Sequence, residues 1–557
     1  MKKIIAFLLI VSMLFCLTAC GGSEDEEAFD KGGSKDTSSK NPGKNDTDTN
    51  EPSGEPDDDK QGGESEDNPY MISTADELYK FVEDYNAYKL DAVICVKLGA
   101  DIKVNDIADV YMDLTAENLD GYRMWTPVQY FRGTFDGDGH TISGIVCSMD
   151  VDENGTIVCS SALFSSMAEG SVVKNLTVKD SIFTSKTKNY AAGICGSLRK
   201  GTIENCHNYA KILTYSTSGG IAAANGGGVI KNCSNYADIS NIDTGSTKGL
   251  GGICGFNVTE YETKMVSRIV NCVNYGNLVG VDTTGGIAGY NRGFVEGCIN
   301  KGKIQSKNDA GGITGSNTSN GDEIGNVVNC INYGNIESDN YAGGISVANC
   351  SGEEFELIYG IQNCINYGNV SGGNDSGGIC VYTNNAIVAN CANWGNVTAR
   401  SDAYWGAAAS GICVDVRDGS KVYQSFNAGS VTSSHEATGL CNSIRGEVSN
   451  CYSAGIIRSE KTTACGIATE VYDGKVLDCF FIGEIHGNEK SNYLIKDLFE
   501  EDYIDRGYIC ASSHLNSSLA KEYTWYIGFD FDEVWTMNPF FEYAYPTLRN
   551  MPEDFTK

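Results

Sequence analysis

Histidine, proline and basic residues are scarce in this chain. Its 557 residues include 5 His, 8 Pro and 41 Lys and Arg against 73 Asp and Glu, which leaves a net charge of −32. A nucleic-acid partner requires clustered Lys and Arg to neutralise phosphates, so this balance argues against nucleic acid as a partner. The acidic surface also disfavours polyanionic substrates unless a cation intervenes.

Motifs of the common hydrolases and metal sites are also missing from the sequence. It has no His-Glu-x-x-His helix for a zinc protease, no Gly-x-Ser-x-Gly nucleophile elbow and no Gly-rich phosphate loop. Although there are 22 Cys, none belongs to a Cys-x-x-Cys or Cys-x-x-His pair of the kind that binds zinc. We therefore expect no cofactor and no metal, and we assign no catalytic residue.

The chain has instead a two-part phrase that recurs between residues 190 and 485. The first part is Gly-Gly-Ile, and the second is Ile-x-Asn-Cys-x-Asn-Tyr-Gly-Asn-Ile, with 26 to 39 residues between successive Cys positions. Self-similarity at this period is typical of solenoids, propellers and arrays. The Asn-Cys-x-Asn cores begin at Asn205, Asn232, Asn271, Asn329, Asn363 and Asn390.

Short β-rich runs within each period favour one of these architectures. Each period holds three apolar runs broken by Gly, Asn or Asp, and none has helical periodicity. A propeller blade would need antiparallel hairpins with two-residue turns, and these are not found. The sequence therefore predicts an all-β fold, a right-handed parallel β-helix with three strands per coil.

Stacked coils would place each repeated residue about 4.8 Å from its counterpart, so ladders of identical side chains are expected. In an earlier coil, Leu176 occupies the Cys position and Val178 the second Asn position. Because such apolar residues face the core, we expect the Cys and second Asn ladders to point inward, with residues like Asn175 at a bend. In the alternative arrangement the Cys points outward, and the Val, Ile or Phe that follows it points into the core. If the Cys points inward, these Val, Ile and Phe residues form an exposed apolar stripe, which is typical of a docking surface.

Stacked cysteines are expected to remain free thiols. Their Cβ atoms would be about 4.8 Å apart, beyond the range of roughly 3.5 to 4.5 Å that disulfides prefer. Cys also serves as a small buried hydrophobe. An exported chain with free thiols suggests an oxygen-poor habitat.

An aromatic residue follows the second Asn in six copies of the phrase. In-register stacking would line these rings along one corner, where their faces could hold a sugar chain or another extended ligand. The alternative is that the rings only stack on each other and shield the turn. The candidate ligand-binding residues are Tyr209, Tyr236, Tyr275, Tyr333, Tyr367 and Trp394.

The Gly-Gly-Ile-x-Gly and Asn-Cys-x-Asn-x-Gly phrases resemble the GLUG-motif repeats of bacterial surface proteins, some of them in immunoglobulin A protease-like and adhesin-like chains. The lead-in around Phe131-Arg-Gly-Thr-Phe-Asp-Gly and the ending around Tyr545-Pro-Thr-Leu are similar to the entry and exit segments of such chains. This resemblance covers about residues 68 to 550 and implies a β-helix architecture. It implies almost nothing about activity, because these repeats occur on proteins with different functions.

The N-terminus predicts where the protein is located. Residues 1–19, with Lys2-Lys3, an apolar run and Leu17-Thr18-Ala19 before Cys20, resemble a bacterial lipoprotein signal peptide. This implies export and a lipid anchor at Cys20 in the bacterial cell membrane, with the ectodomain outside the cytoplasm. The alternative is an ordinary cleaved signal with an incidental Cys. Residues 20–67 are expected to be a disordered acidic tether, since 16 acidic and 5 basic residues accompany almost no large apolar side chain.

Capping segments are expected at both ends of the solenoid, because a bare terminal coil exposes strand edges. In the N-terminal cap, residues 68–125, Thr74-Ala-Asp-Glu77 is a capping-box pattern. The residues at helical spacing after it are Leu78, Phe81, Val82 and Tyr85. The β-helix is expected over 126–490 and an aromatic-rich cap over 491–557, where the large rings are Trp525, Phe529, Phe531, Trp535 and Phe540.

Three functional classes are left open. The favoured one is a surface adhesin or binding protein that presents an extended face to a glycan or a host surface protein. A polysaccharide-active enzyme on a pectate-lyase-like scaffold is the second, and it would need outward carboxylates on adjacent coils. The third is a passive structural surface protein. The best carboxylate set, which could equally be a solvated loop edge, is Asp415, Arg417, Asp418, Arg445, Glu447, Glu470 and Asp473. Asp136-Gly-Asp138-Gly predicts a tight turn rather than a calcium loop, whose ligand count is not met.

Overall fold

The computed structural model describes residues 62–150, 159–185, 187, 189–242, 249–260, 262–319, 325–352, 359–401, 406–487, 492–498, 529–537 and 546–549. Residues 62–557 form one compact unit. The predicted signal peptide, Cys20 and the tether up to residue 61 lie outside the described residues. So do Trp525 and Phe540 of the predicted C-terminal cap.

A short strand, Tyr70–Ile72, and one α-helix, Ala75–Asn86, begin the compact unit. The capping box is confirmed: the Glu77 N–H donates to the Thr74 hydroxyl, and the Glu77 carboxylate accepts from the Thr74 N–H. The four residues predicted for the apolar face of this helix are all buried. Its Phe81 ring lies 5.6 Å from Tyr70 and 6.3 Å from Phe135, centroid to centroid, so the helix packs on the first coils.

The body of the chain is a parallel β-helix, as predicted, built from four long parallel sheets. In the order in which one coil visits them we call them sheets I to IV. Sheet I has 14 strands: Tyr70–Ile72, Ile94–Leu98, Gly133–Asp136, Val172–Lys174, Thr202–Glu204, Val229–Lys231, Arg268–Val270, Phe294–Glu296, Asn326–Val328, Gly360–Gln362, Ile387–Ala389, Lys421–Tyr423, Glu447–Ser449 and Lys475–Leu477.

Sheet II carries the Asn-Cys-x-Asn phrase and has 13 strands: Ile102–Lys103, Thr141–Ser143, Thr177–Lys179, His207–Asn208, Ser234–Asn235, Val273–Asn274, Ile299–Asn300, Ile331–Asn332, Ile365–Asn366, Ala392–Asn393, Phe426–Asn427, Tyr452–Ser453 and Phe480–Phe481. Sheet III has 12 strands: Val146–Ser148, Ile182–Thr184, Lys211–Thr214, Ile239–Asn241, Leu278–Gly280, Ile304–Ser306, Ile336–Ser338, Val370–Gly372, Val397–Ala399, Val431–Ser433, Ile456–Ser459 and Glu484–His486.

Sheet IV receives two strands from most coils and has 21 strands: Phe164–Met167, Ala191–Ala192, Cys195–Arg199, Ser218–Gly219, Ala222–Gly226, Leu250–Gly251, Cys254–Val258, Thr283–Gly285, Ala288–Arg292, Asp309–Gly311, Thr314–Thr318, Tyr341–Gly343, Ser346–Cys350, Ser376–Gly377, Cys380–Asn384, Ala408–Ser410, Cys413–Val416, Glu436–Thr438, Cys441–Ile444, Ala464–Val471 and Asn492–Leu498. Outside the four sheets lie a 3₁₀ turn, Tyr111–Asp113, and an antiparallel pair, Trp535–Thr536 with Thr547–Leu548.

A typical coil therefore has five short strands, where the sequence predicts three. One extra break falls within the apolar run from Ile269 to Val273, because Asn271 adopts a left-handed conformation with φ 52°. The equivalent bend recurs at Asn175, Asn205, Asn232, Asn329, Asn363, Asn390 and Asn450, which confirms the predicted role of these residues. The second Gly and the Ile of the Gly-Gly-Ile phrase form the other break, between the two strands of sheet IV.

The Cys-inward phase is confirmed by burial and by hydrogen bonds. The sheet II cysteines from Cys206 to Cys479 and the second Asn of each phrase are at most 1% exposed. Each buried amide donates from Nδ2 to the Oδ1 of the next coil; the Asn274–Asn300 and Asn300–Asn332 distances are 2.9 and 2.8 Å. This series of amide hydrogen bonds is unbroken from Asn208 to Asn427, and its last bond is from Asn427 to the Ser453 hydroxyl.

The two parts of the repeated phrase depend on each other physically. A Cβ placed on Gly286 would come within 2.5 Å of the Asn300 amide carbon and 2.1 Å of the Gly312 carbonyl oxygen. The second glycine of the other phrases faces the Asn of its own coil in the same way, as Gly220 faces Asn235 and Gly344 faces Asn366. Glycine is thus required there because a side chain would displace the buried amide ladder.

The Val, Ile and Phe stripe that the sequence predicts to be exposed is covered along part of its length. Val273, Ile299 and Ile331 are half-buried, whereas Ile365, Phe426, Tyr452 and Phe480 are buried. The cover is the C-terminal segment, whose Phe529, Trp535 and Leu548 form one cluster with these residues. The described part of that segment therefore packs against the flank of the last coils.

Candidate ligand-binding face

The outward surface of sheet II carries two parallel rows of side chains. One row, which we call the inner row, is formed by the residue after each Cys position; the other, the ring row, is formed by the residue after the second Asn. Alternate residues of a strand point to the same face, so both rows flank the inward Asn and share the outer surface. The ring row contains all six predicted candidate residues.

Backbone hydrogen bonds hold the ring row in register. The Tyr209 N–H donates to the Val178 carbonyl at 2.7 Å. The N–H of each later member donates to the carbonyl of the second Asn one coil earlier, at 2.7 Å for Tyr275 to Asn235 and 2.8 Å for Tyr333 to Asn300. Tyr209, Tyr236 and Tyr275 are 40%, 38% and 40% exposed. Their alignment follows from the amide ladder beneath them, because that ladder fixes the spacing of successive coils.

The tyrosines stack face to face. Ring centroids are 4.3 Å apart for Tyr209 and Tyr236 and 4.6 Å apart for Tyr236 and Tyr275, with interplanar angles of 0° and 3°. Both faces of Tyr236 are therefore covered by its neighbours, and the row presents ring edges and hydroxyls outward. The sequence left open whether the rings offer their faces to a ligand; this geometry shows that the central ring does not.

Lys301 interrupts the ring row between Tyr275 and Tyr333. Its Nζ lies 5.1 Å from the Tyr275 ring centroid, within the range of a cation–π contact. The exposed ammonium group places a positive charge beside the exposed tyrosines.

The other end of the ring row is partly covered. Tyr333 and Tyr367 stack at 5.0 Å, and Tyr367 and Trp394 pack against the cluster that holds the C-terminal segment. The structure thus places the six predicted residues in one line but divides them: Tyr209, Tyr236 and Tyr275 lie far from the cover, while Tyr367 and Trp394 lie beside it.

The C-terminal cover is the feature of this face that the repeats did not reveal. The Trp535 ring lies 6.0 Å from Phe426 and 5.8 Å from Tyr452, and Phe529 lies 5.7 Å from Phe480. The Tyr452 hydroxyl donates to the Pro546 carbonyl. A signal was present in the sequence, since the inner row changes from Val and Ile to Phe and Tyr in the last coils.

A second ladder of buried amides was also missed. Along sheet IV each amide Nδ2 donates to the Oδ1 of the next coil at 2.8 to 2.9 Å, in the order Asn225, Asn257, Asn291, Asn317 and Asn349. The Asn349 Nδ2 then donates to the Thr383 hydroxyl at 3.2 Å. Each is four residues after the Ile of a Gly-Gly-Ile phrase, so the pattern could have been read from the repeat. These amides are structural and are not exposed.

The cysteines are buried groups of the core. Of the 19 Cys in the described part of the chain, 18 are buried, and those of sheet II are free thiols. In sheet II each Sγ donates to the carbonyl two residues earlier, at 3.4 Å for Cys272 and 3.3 Å for Cys330; Ser425 makes the same bond from its hydroxyl at 2.9 Å. Burial raises the pKa of Cys233, Cys272 and Cys330 well above the usual value, so these thiols are poor nucleophiles.

The candidate carboxylates of the enzyme interpretation are only partly brought together. Asp415 accepts from Arg417 Nε at 2.8 Å and from Arg445 Nη1 at 3.3 Å, so each of its oxygens has a guanidinium partner. Glu470 accepts from the Tyr472 hydroxyl. Asp415 and Glu470 share one ladder of sheet IV but are separated by a coil that contributes Ser443.

The other members of that set lie elsewhere in the coil. Glu447 lies in sheet I, 3.8 Å from Lys421 Nζ. Asp418 and Asp473 occupy the turns that lead from sheet IV to sheet I. The predicted tight turn at Asp136 is confirmed, because the Asp138 N–H donates to Asp136 Oδ1 at 2.8 Å and Asp138 has φ 50°.

Two half-buried carboxyls had no sequence signal: Asp309 begins a strand of sheet IV, and Asp375 directly precedes another. Burial, with the carboxylate of Asp282 nearby, raises the pKa of Asp309 to about 7. Burial also raises the pKa of Asp375 to about 6, helped by Asp415 and Glu436 and opposed by the Ala408 N–H that Asp375 accepts. Among the described residues, no group of three or more His, Cys, Asp or Glu could hold a metal ion. Nor does that part of the chain contain a helix long and apolar enough to cross a bilayer.

Comparison with known proteins finds a distant structural likeness. No family model and no curated protein matches the chain. The crystal structure of a protein proposed to be an immunoglobulin A1 protease from Bacteroides ovatus is similar over 88% of this chain and 94% of that one, with 15% sequence identity and a TM-score of 0.27. At that TM-score the two chains do not superpose as whole molecules, so the β-helix assignment rests on this chain's own strand ladders.

Proposed function

We propose that this chain is an exported, lipid-anchored bacterial surface protein whose β-helix presents sheet II for adhesion or ligand binding. The observation that carries the proposal is the exposed, in-register row of Tyr209, Tyr236 and Tyr275. A patch of aromatic rings beside an apolar stripe on an acidic protein is typical of an interaction surface. The GLUG-like phrases are consistent with a surface location by resemblance.

The N-terminal sequence supports the anchoring part of the proposal. Cys20 follows Leu-Thr-Ala, as in a lipobox, and the acidic segment after it would extend through self-repulsion. Metabolic labelling with a fatty acid tests this directly. We expect label on the wild type and none on Cys20→Ser, which should be released to the soluble fraction. Equal membrane retention of an unlabelled Cys20→Ser protein would contradict the anchor.

Binding can be tested with residues 62–557, which form one compact unit. We expect this fragment to be retained on an array of glycans and extracellular-matrix proteins, and we expect Tyr236→Ser with Tyr275→Ser to abolish retention. The matched control is Tyr88→Ser, which removes a ring that is 88% exposed but lies outside sheet II. Retention that survives the double substitution would remove the ring row from the proposal, and no retention at all would refute the binding function.

The polysaccharide-enzyme alternative has less support. A general acid and a nucleophile or base must both face the scissile bond. Instead, Asp415 is held between Arg417 and Arg445, and Glu447 lies in another sheet. We therefore do not advance it as a second function.

A further inference from the structure

The exposed part of sheet II carries half-buried aliphatic side chains beside tyrosine rings, and we call the surface formed by Val273, Ile299, Tyr236 and Tyr275 the furrow. Val273 and Ile299 of the inner row are half-buried, and Tyr236 and Tyr275 of the ring row stand beside them on the same outer surface. The amide ladder holds these coils in fixed register, so the furrow is preorganised. A preorganised apolar furrow loses little entropy when an extended ligand binds.

The same sheet already binds polypeptide a few coils further on. There Phe529 and Trp535 pack over Phe426, Tyr452 and Phe480, and Leu548 joins the same cluster. The Tyr452 hydroxyl donates to the backbone carbonyl of Pro546. The outer surface of sheet II therefore accepts aromatic side chains and offers phenol groups to a peptide backbone, and the exposed furrow is continuous with that interface.

The sizes of the two rows differ along the face. At the coils of Phe426 and Tyr452 the inner row is large and the ring row is small, with Ala428 and Ala454. At Val273 and Ile299 the inner row is aliphatic, and the ring row beside them is Tyr275 and Lys301. The space for an incoming ring thus lies over Val273 and Ile299, with tyrosine edges and hydroxyls along one side.

The furrow offers a positive charge as well as apolar surface. The Lys301 ammonium group lies beside Tyr275 and is exposed. The segment that covers the other part of the face begins Phe529-Asp-Phe-Asp-Glu, with rings and acidic groups alternating. An extended chain of this kind could place alternate rings in the furrow and a carboxylate near Lys301.

Ring stacking makes a glycan the less suitable occupant. Sugars bind aromatic side chains mainly through the ring face, and both faces of Tyr236 are covered at 4.3 and 4.6 Å. Ring edges and phenol hydroxyls remain, and these suit a polypeptide backbone.

We propose that the furrow formed by Val273, Ile299, Tyr236 and Tyr275 binds an extended polypeptide segment with alternating aromatic and acidic residues, contributed by a partner protein. This inference rests on the proposed binding function and specifies the class of ligand. The likeness to the chain's own C-terminal segment lies in the aromatic contacts and not in the shape of the backbone, because residues 531–534 of that segment form a turn.

The probe for this inference is a fluorescent peptide with the sequence of residues Phe529–Met537, titrated with the 62–557 fragment and followed by anisotropy. We expect saturable binding that weakens at least about tenfold when Tyr236 and Tyr275 are both replaced by Ser, since both rings that line the furrow are then lost. Tyr88→Ser should bind like the wild type. A peptide whose three rings are replaced by Ala should not bind.

Two further measurements separate the outcomes. If the peptide instead exchanges with the chain's own C-terminal segment, Phe480→Ala will abolish binding while the tyrosine double variant will not, and the inference is overturned. A titration with cellohexaose tests the glycan. Binding of the oligosaccharide and not the peptide, lost in the double variant, would overturn the inference but preserve the proposed function. If neither the peptide nor the oligosaccharide binds and the array retains no fragment, both the inference and the proposed binding function are refuted. Thermal melting of each variant checks that it is folded.

Discussion

The two halves of the sheet II surface share a scaffold and differ in what lies on it. From His207 to Ile299 the face is open, with a tyrosine ring row; from Ile365 to Phe480 it is covered by the C-terminal segment. Beneath both halves the same buried amides bond from coil to coil. The comparison shows that the buried amides, which recur in successive coils, determine the fold. The outward residues of sheet II differ from coil to coil, and they determine whether that part of the face is covered or exposed.

The largest expected effect comes from breaking what the two halves share. Asn300→Ala would remove the amide that donates to Gly302 and Asn332 and accepts from Asn274. Because buried groups would lose their partners, we expect a loss of about 4 kcal/mol in unfolding free energy, measured by urea denaturation. The control is the exposed Gln305→Ala, which should be nearly neutral. Equal stability of the two variants would show that the amide ladder is dispensable.

The next effect separates the halves. Trp535→Ala should destabilise the covered coils by about 3 kcal/mol, because a fully buried ring is lost from the cluster with Phe426 and Tyr452. Tyr236→Ala in the open half should cost less than about 1 kcal/mol, since its ring is exposed and only stacks on its neighbours. Hydrogen exchange of the coils around each site would locate the effect. If exchange in the two halves responded equally, the distinction between cover and open face would be wrong.

A smaller effect is expected in the thiol ladder. Cys330→Ser should cost only about 1 kcal/mol, because Ser425 already fills the same position and makes the same bond to a carbonyl. Cys233, Cys272 and Cys330 should react with iodoacetamide far more slowly in native protein than in unfolded protein, since burial raises the pKa of these three thiols. Fast labelling of native Cys272 or Cys330 would contradict the burial described above.

The smallest effect is on the dependence of stability on pH. The pKa of Asp309 is raised to about 7, so the folded state holds this proton more tightly than the unfolded state does. Its contribution to stability is complete below pH about 4 and is lost as the pH rises to about 7. Asp309→Asn should therefore flatten the decline of the melting temperature over that range by a few degrees. An unchanged slope would mean that Asp309 ionises normally.

The architecture could be predicted from the sequence because the core is formed by residues that recur from repeat to repeat. Leu176 and Val178 of one early coil favoured the phase in which Cys206 and Asn208 point inward, and burial confirms that phase. The number of strands per coil was wrong because the residues from Ile269 to Val273 were counted as one strand, although a bend was expected at residues like Asn271. Whether an outward residue such as Phe426 is exposed depends on a segment about one hundred residues away in sequence. The change of the inner row to Phe and Tyr signals that these coils are covered, but it does not identify the segment that covers them.

The candidate site was only partly predictable for the same reason. Register placed the six aromatic residues in one line, since it follows from the repeat. Their exposure and the direction of the ring faces depend on side-chain packing between coils, which spacing alone does not specify. Asp309 and Asp375 could not be identified from the sequence either, because their partial burial depends on how coils pack around the start of the first sheet IV strand, which Asp309 begins and Asp375 precedes.

The pairing of each second glycine with the amide of its own coil makes a coil a self-sufficient building unit. Gly286 leaves room for Asn300, and Asn300 continues the chain of amides to whichever coil comes next. Duplication or deletion of one whole unit in the gene would therefore leave every remaining junction intact. The reach of the molecule could change between descendants by whole coils, without any compensating substitution in its interior.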